Sequence, residues 1–379
     1  MRALSPFLYL LFLVVLSSRV VADPLPLRDN ERILVLTDLS LADDSWPILL
    51  EQYLRVRYPE KHITFFTLDF ERKGVEEATA YWQDGLLTLR PTLVLLQFGS
   101  ENPTEGRVNW RRQQAFTLAL QRLCQSIVRN NIPFAVLGGY GGGETSRFQL
   151  FWGVSRAENR SVAADQKGRW INFEPLMKKY SEENIPVTVD GHLTEAGHVA
   201  ALISILQNLG WTVPAHLTVT LPEHKGPLTN LDVTLRPPAS ARMSFFVPPS
   251  ILKWTLSEAS IANDLHLILQ VPDLIPGRYA VNIDETSGGV FTSEKLDSGV
   301  YLPPGVMPRS PLVREWVARK QKIFSMEWMR ALDLGKSSPG CEHLMAGSLT
   351  AEEGFEDMIR QLAKGSDALH LNVTRLPEP

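Results

Sequence analysis

The stretch ILVLT at 33–37 is the first of a series of short apolar runs along the first half of the chain. Similar runs follow at 63–68 (ITFFTL), 92–98 (TLVLLQF), 134–139 (FAVLGG) and 169–173 (RWINF). Continuous apolar runs of this length are typical of parallel strands that are buried on both faces. We therefore expect an α/β domain of three α/β/α layers around a parallel five-stranded sheet, with ligands at the carboxyl ends of the strands.

Amphipathic segments connect these runs, as helical crossovers between parallel strands require. Their three-four spacing of apolar residues predicts helices over 46–58, 75–89, 108–129 and 195–208. Ser45 is the predicted N-cap of the first helix, and Thr194 immediately precedes the last. The segment 140–165 is predicted to be a long irregular loop, a feature that is usually functional or mobile.

The character of the sequence changes after about residue 212. Alternating apolar residues and prolines predict a small antiparallel β module. Helical spacing returns beyond Pro311, where Trp316, Phe324 and Trp328 are expected to pack against the β module. A short helix over 350–364 is expected within a weakly ordered tail. The predicted division of the chain is 30–212 for the α/β domain, 213–305 for the β module and 306–379 for the C-terminal helical segment and tail.

The N-terminus has the pattern of a secretory signal. One basic residue precedes an apolar run from Phe7 to Leu16, and Val20 and Ala22 form a small-residue cleavage pattern. The run is shorter than the ~20 residues of a membrane-spanning helix. We expect a signal peptide at 1–22 with cleavage after Ala22, no transmembrane segment in the mature chain, and secreted or periplasmic residence. An uncleaved anchor is the alternative.

Composition excludes several other classes. The net charge of -4 gives no indication of nucleic-acid binding. The chain has no CxxC, HExxH or Cys/His cluster, so we expect no metal site and no cofactor. Its two cysteines, Cys124 and Cys341, are compatible either with a disulfide or with two separate thiols.

Polar motifs follow the predicted strands in a recognisable order. TDLSLADDSWP (37–47) follows the first strand, TLD (67–69) the second and GSEN (99–102) the third, and DGHLTEAGH (190–198) runs into the last helix. An aspartate and a histidine just before a helix are typical of a hydrolase triad. Over 32–210 the chain resembles the SGNH/GDSL hydrolases, a family of secreted or periplasmic esterases and acylhydrolases on a flavodoxin-like sheet.

The resemblance implies a serine nucleophile after the first strand, but this chain departs from that pattern. Asp38 matches the aspartate of the family motif, Leu39 stands at the nucleophile position, and Ser40 follows one residue later. His192 matches the catalytic base. The orienting aspartate, Asp190, lies two residues before His192 rather than three.

The resemblance also implies an oxyanion hole, whose positions are likewise altered. Asp69 follows the second strand in place of a glycine, Gly99 fits, and Glu101 replaces the asparagine, so that Asn102 could donate only in a shifted loop. Loss of one oxyanion donor typically costs about 3–4 kcal/mol of transition-state stabilisation. A carboxylate at ~4 Å adds repulsion of about 4 kcal/mol at an effective dielectric of ~20.

These substitutions favour a pseudohydrolase, a protein that keeps the fold and binds a carbohydrate or an ester-type ligand without cleaving it. The carboxylates expected to gather beside His192, where they could hold a cation, an amine or a sugar, are Asp38, Asp69 and Glu101.

Two alternatives stay open. One is an active carboxylic-ester hydrolase, either a carbohydrate esterase or an acylhydrolase, that uses a shifted geometry of Ser40, His192 and Asp190. The other is acid/base chemistry on a glycosidic bond by Asp69 and Glu101, which requires a carboxylate separation of about 5.5 or 6.5–9.5 Å.

Overall fold

Five parallel strands form the central sheet in the order β2-β1-β3-β4-β5. The computed structural model describes residues 25–38, 41–42, 45–58, 60–71, 73–99, 110–138, 146–182, 186–189, 192–211, 215–218, 230–235, 267–283, 286–301, 309–335, 338–364 and 369–377. The strands are β1 (Arg32–Thr37), β2 (Thr64–Asp69), β3 (Leu93–Gln97), β4 (Phe134–Leu137) and β5 (Arg169–Ile171). The predicted parallel five-stranded sheet is confirmed.

Helices cover both faces of this sheet. They are α1 (Trp46–Arg57), α2 (Gly74–Asp84), α3 (Trp110–Arg129), α4 (Ser146–Asp165), α5 (Glu174–Glu182) and α6 (Glu195–Leu209), with a 3-10 turn at Leu86–Leu89. Side chains such as Ile33 and Val35 point to a core formed with α1, α5 and α6. Their neighbours Leu34 and Leu36 point to a second core formed with α2, α3 and α4. This alternation explains why the strand sequences are apolar throughout.

The prediction of a loop over 140–165 is wrong for most of its length, since α4 occupies Ser146–Asp165. Val162 and Ala163 of α4 are buried in the second core. Packing of this kind supplies most of the stability of helices in proteins, and it can outweigh a weak sequence pattern.

A two-stranded hairpin precedes α6 and carries the histidine of the predicted triad. Its strands are β6 (Thr188–Val189) and β7 (His192–Leu193). Thr194 caps α6, since its side chain accepts a hydrogen bond from Gly197 N at 3.2 Å. A Cβ at Gly197 would lie 2.1 Å from the carbonyl oxygen of Val187, so only glycine permits this close approach of α6 to the hairpin.

Two small sheets follow the α/β domain. β8 (Ala215–Thr218), β10 (Leu267–Gln270) and β13 (Val300–Tyr301) form one, in which β10 is parallel to β8 and antiparallel to β13. The other is antiparallel, in the order β12-β11-β14-β9, and consists of β9 (Asn230–Leu235), β11 (Arg278–Ile283), β12 (Thr286–Thr292) and β14 (Leu369–Arg375). A short helix, α7 (Ser293–Ser298), follows β12. The expected small antiparallel β sheet is thus present.

The C-terminal tail is more regular than predicted. Helix α8 (Arg309–Leu334) occupies the helical segment predicted beyond Pro311. Helix α9 (Pro339–Lys364) is longer than the expected short helix, and β14 pairs with both β11 and β9. Leu371 and Val373 of β14 are fully buried. Their alternation with exposed residues is the ordinary pattern of a strand with one buried face.

Helix α8 packs on the α/β domain, so the prediction that its aromatic residues contact the β module is wrong. Phe324 stacks on Trp328, with ring centroids 5.3 Å apart, and lies 5.1 Å from Phe66 of β2. Trp316 instead contacts Phe355 of α9. Because β2 is an edge strand, α8 covers backbone groups that would otherwise be open to pairing with another chain.

A buried group of charged side chains joins α1, α8 and α9. Lys320 donates to Glu51, to Glu356 at 2.8 Å and to the carbonyl oxygen of Phe65 at 3.0 Å. The members of this buried ion cluster are Glu51, Arg55, Lys320, Glu352 and Glu356.

In the part of the chain that the structure describes, no helix has both the length and the apolar character needed to cross a membrane. The predicted signal segment lies outside the described residues. The division of the chain into 30–212, 213–305 and 306–379 stays a prediction.

Candidate functional site

The carboxyl ends of β1, β2 and β3 meet at one edge of the sheet, where the sequence predicts a ligand site. Thr37 of β1 is in register with Asp69 of β2 and with Gln97 of β3. Parallel strands that end together bring the residues after them close together, so the following side chains share one region.

Asp38 is buried and holds the ends of β1 and β3 together. Its N–H donates to the carbonyl oxygen of Gln97 at 3.1 Å, and its Oδ2 accepts from Gly99 N at 2.7 Å. Gly99 adopts a φ of 96°, a value that favours glycine. The Gly99 N–H is therefore directed at a carboxylate.

Helix α8 reaches the end of β2. Asp69 N donates to the hydroxyl of Ser325 at 3.0 Å, and Asp69 Oδ1 accepts from Glu71 N at 2.7 Å. The backbone donor at the position of the family's second-strand glycine is thus already bonded within the chain. The Asp69 carboxylate, which accepts from Glu71 N, supports a local turn of the type that aspartate commonly forms.

The start of α1 is tied to the same edge by groups that the sequence did not single out. The predicted N-cap, Ser45, makes no side-chain cap hydrogen bond. Instead Trp46 N donates to His198 Nδ1 at 3.2 Å, which implies that the imidazole proton of neutral His198 lies on Nε2. The Trp46 indole donates to Gln97 Oε1. His198, the second histidine of DGHLTEAGH, therefore has a structural contact.

A cavity of about 380 Å³ opens beside these strand ends. We call it the strand-end cleft; its lining residues are Leu41, Asp69, Glu71, Lys73, Lys322, Ser325, Met326 and Met329. It offers lysine donors, carboxylate acceptors and an apolar wall within one space, a combination that suits a neutral polyhydroxyl ligand.

One wall of the cleft is fixed by an ion pair between α2 and α8. Lys73 donates to Asp333, which also accepts from the Tyr81 hydroxyl at 2.9 Å. Burial alone would lower the pKa of Lys73, but its hydrogen bond and attraction to Asp333 raise it. Burial alone would raise the pKa of Asp333, but the hydrogen bonds from Lys73 and Tyr81 lower it overall. Both groups are charged at neutral pH.

Most residues of the predicted triad and oxyanion hole fall outside the described residues, namely Leu39, Ser40, Glu101, Asn102 and Asp190. Their roles stay predictions. Leu41, the residue after Ser40, lines the strand-end cleft. The separation of Asp69 and Glu101, on which the glycosidase alternative depends, is likewise untested.

The backbone of His192 is described, and it pairs with Val189 across the β6–β7 hairpin. Directly opposed residues of an antiparallel pair place their Cβ atoms on the same face. The position three residues before the histidine is thus its cross-strand neighbour, but the residue there is an exposed valine. Val189 offers no carboxylate to orient an imidazole.

Three contacts at this edge were missed by sequence reasoning. Gln97 carried a signal, since it is the polar residue of an otherwise apolar strand. The histidine–tryptophan contact of α6 and α1 joins residues 152 positions apart, and the Ser325 contact joins residues 256 apart. No local pattern could have predicted these two.

Both cysteines are free and buried. Burial raises the pKa of Cys124 to about 12, so this thiol is uncharged and unreactive. Among the described residues no group of three or more histidine, cysteine, aspartate or glutamate side chains is arranged to hold a metal ion.

The fold occurs in a solved structure of a gut microbial diltiazem-metabolizing enzyme, with a TM-score of 0.70 over 94% of this chain and 100% of that one. The fold is shared with a known enzyme. Sequence identity is 12%, so the likeness concerns the fold alone.

Partial likenesses cover about half of the chain. An acetylxylan esterase from Geobacillus stearothermophilus matches 48% of this chain and 95% of its own at 14% identity, with a TM-score of 0.41. An alpha/beta hydrolase enzyme from the metagenome of Lake Arreo, Spain, matches 48% of this chain and 97% of its own at 16% identity, also with a TM-score of 0.41. No family model and no curated protein matches the sequence.

Proposed function

We propose that this is a secreted hydrolase-like protein that binds a carbohydrate or an acylated small molecule in the strand-end cleft and does not cleave it. The observation that carries the proposal is the 3.0 Å hydrogen bond from Asp69 N, at the position of the family's second-strand glycine, to the hydroxyl of Ser325. An oxyanion needs donors that are free to point at it, and a buried carboxylate beside those donors opposes the developing negative charge.

The resemblance assigns the N–H at the position of Asp69 to the oxyanion hole, and here this N–H is already bonded within the chain. To serve an oxyanion, this N–H would have to leave the hydroxyl of a helix that is packed against β2. Leu39 at the nucleophile position and Val189 opposite His192 are the sequence counterparts of these structural changes.

The chemistry of the cleft supports a carbohydrate or related ligand. Sugars present hydroxyl groups that donate and accept, along with an apolar C–H face. Lys322 and Asp69 supply the complementary polar groups, and the exposed side chain of Met326 supplies an apolar contact. Residence outside the cytoplasm is supported by the signal pattern at 1–22.

The test is calorimetric binding of the purified mature chain to a panel of acetylated and unacetylated oligosaccharides, with product analysis of the same mixtures. We expect one ligand class to bind the parent chain and to be recovered without cleavage. The same ligands should bind His192→Ala with equal affinity and Lys322→Ala at least fivefold more weakly. Lys178→Ala, on the exposed surface of α5, is the matched control. Absence of binding across the panel, or equal affinity in Lys322→Ala, would overturn the proposal.

The alternative function is a carboxylic-ester hydrolase that uses Ser40, His192 and Asp190. Its support is the position of Leu41 in the lining of the cleft, one residue after the candidate nucleophile. This alternative requires turnover of p-nitrophenyl acetate or of an acetylated sugar that disappears in both Ser40→Ala and His192→Ala.

A further inference from the structure

A second cavity lies between α8 and α9, on the opposite side of α8 from the strand-end cleft. It has a volume of about 250 Å³, and we call it the helix-pair groove. Helix α8 contributes Lys320, Phe324 and Glu327 to it, whereas Lys322, Ser325 and Met329 face the strand-end cleft. Residues two positions apart on a helix differ by about 200°, so the two cavities are separate sites.

The walls of the groove are apolar. Phe324 of α8 and the α9 residues Leu344 and Phe355 line it, and Gly347 opens it towards solvent. A Cβ added at Gly347 would meet no atom within 4 Å. The space is large enough for one aromatic ring with a short side chain, but too small for an oligosaccharide.

Glu352 brings a carboxyl group to this apolar space. Its side chain is 5% exposed and its carboxyl group hydrogen-bonds Glu356, but no N–H donor in the described part of the chain bonds its Oε1. The nearest cation, Lys320 Nζ, is 3.9 Å from that oxygen and already bonds Glu51 and Glu356. A buried carboxyl oxygen without a donor is unusual in native structures and calls for an explanation.

The balance of carboxyl groups and cations around Glu352 indicates the charge that a ligand at this carboxyl group would carry. The buried ion cluster has three carboxyl groups but only two cations, Arg55 and Lys320. A further carboxylate, Glu327, and a histidine, His343, stand at the mouth of the groove. Once Glu352 is ionised, the cluster therefore has one carboxylate more than it has cations, next to an apolar wall.

We propose that the helix-pair groove binds a small organic ammonium ion, with its apolar body against Phe324 and Phe355 and its charged head at Glu352. A metal ion does not fit, because among the described residues no three histidine, cysteine, aspartate or glutamate side chains are arranged to hold one. An anion does not fit, because Lys320 is neutralised within the cluster.

Protonation of the cluster gives the proposal a second, independent readout. Burial raises the pKa of Glu352 to about 8 against the attraction of Lys320, with repulsion from Glu356 and Glu51 adding to the rise. Arg55 of α1 and Arg32 of β1 complete the charged surroundings. An ammonium ion must bind the ionised carboxylate, so its affinity should increase about tenfold per pH unit below pH 8 and then level off.

The experiment is calorimetric titration of the folded mature chain at pH 8 with phenethylamine and with its neutral analogue 2-phenylethanol. We expect the amine to bind with a Kd below about 1 mM, a strength within reach of a ligand of this size. The alcohol should bind at least fivefold more weakly. Equal binding of the two compounds, or no binding of the amine, would overturn the proposal.

Variants localise the site. Gly347→Leu fills the groove from an exposed helical position where leucine is tolerated, and should weaken amine binding at least tenfold without lowering the melting temperature. Gly354→Leu, also on α9 with no atom within 4 Å of its Cβ and outside the groove, is the matched control. Glu352→Gln should abolish the preference for amine over alcohol. Unchanged amine affinity in Gly347→Leu would place the binding elsewhere and contradict the proposal.

Discussion

Polar groups are bonded differently at two places in the molecule, the strand ends of the sheet and the junction of α1, α8 and α9. At the strand ends the backbone donors of Gly99 and Asp69 are bonded within the chain, to a carboxylate and to a hydroxyl. At the helix junction a carboxyl oxygen of Glu352 is left without an N–H donor. The comparison teaches that two backbone donors at the strand ends serve the fold itself, whereas a carboxyl oxygen at a helix interface has no donor.

The comparison predicts that the buried ion cluster matters strongly for stability. Lys320→Met removes the cation shared by Glu51 and Glu356 and leaves buried carboxylates uncompensated. We expect a loss of about 3–5 kcal/mol in the free energy of unfolding, measured by urea titration. Lys322→Met, two residues along α8 on its exposed side, should stay within about 0.5 kcal/mol. A loss below about 1 kcal/mol for Lys320→Met would show that the cluster is not closed in solution.

At the strand ends, the Asp38 carboxylate is predicted to be a structural acceptor. Asp38→Ala leaves the Gly99 N–H without its partner and should lower the free energy of unfolding by about 1.5–3 kcal/mol, the usual contribution of a hydrogen bond to a charged group. Asp38→Asn retains an acceptor and should lose less than half as much. If both variants are as stable as the parent chain, Asp38 is available to a ligand and the comparison fails.

The pKa of Glu352 gives a pH test at the helix junction. The unfolded chain loses this proton near 4.5, whereas the folded chain retains it to about pH 8, so the group lowers stability progressively between these values. Glu352→Gln removes that penalty and keeps a donor for Glu356. The stability of the variant relative to the parent should therefore rise by about 1–3 kcal/mol from pH 5 to pH 8, as measured by chemical denaturation.

The neighbouring Glu356 should change the stability of the fold with pH in the opposite direction, because its pKa is lowered rather than raised. Burial opposes its charge, but Lys320 and Arg55 lower its pKa to about 2. Its contribution to the free energy of unfolding is thus present above pH 4.5 and lost as the pH falls towards 2.

A stability difference between Glu352→Gln and the parent chain that does not change between pH 5 and pH 8 would contradict the assignment of the retained proton to Glu352.

The smallest expected effect concerns the support of the hairpin that carries His192. Thr194→Ala removes the hydroxyl that accepts from Gly197 N and donates to the carbonyl oxygen of Pro186 at 2.6 Å. We expect a loss of about 1 kcal/mol, typical of an N-cap. Thr350→Ala, in the exposed middle of α9, should change stability by less than about 0.5 kcal/mol. Equal losses in the two variants would remove the special role of this cap.

The sequence predicted those parts of the fold in which local pattern and burial agree. The five strands are apolar because both of their faces are buried, and Thr194 caps α6 through a contact only three residues away. Sequence reasoning failed for α4, whose apolar pattern is weak, and for the packing of α8, whose partners in β2 lie more than 250 residues away.

The candidate site divides in the same way. Motif order and spacing were enough to locate the strand ends, and the loss of the serine and asparagine positions stays a prediction. The partner of each polar group could not be predicted, because Gly99 and Asp38 are 61 residues apart and Asp69 and Ser325 are 256 apart. Such pairs are determined by the packing of whole elements.

The central claim, that the chain has no activated serine at the strand ends, is tested most directly by intact-protein mass spectrometry after incubation with a fluorophosphonate. Reagents of this class bond covalently to a serine that a base and an oxyanion hole activate. The account predicts an unmodified mass, identical to that of Ser40→Ala treated in parallel. One adduct per chain, located on Ser40 and lost in His192→Ala, would contradict it.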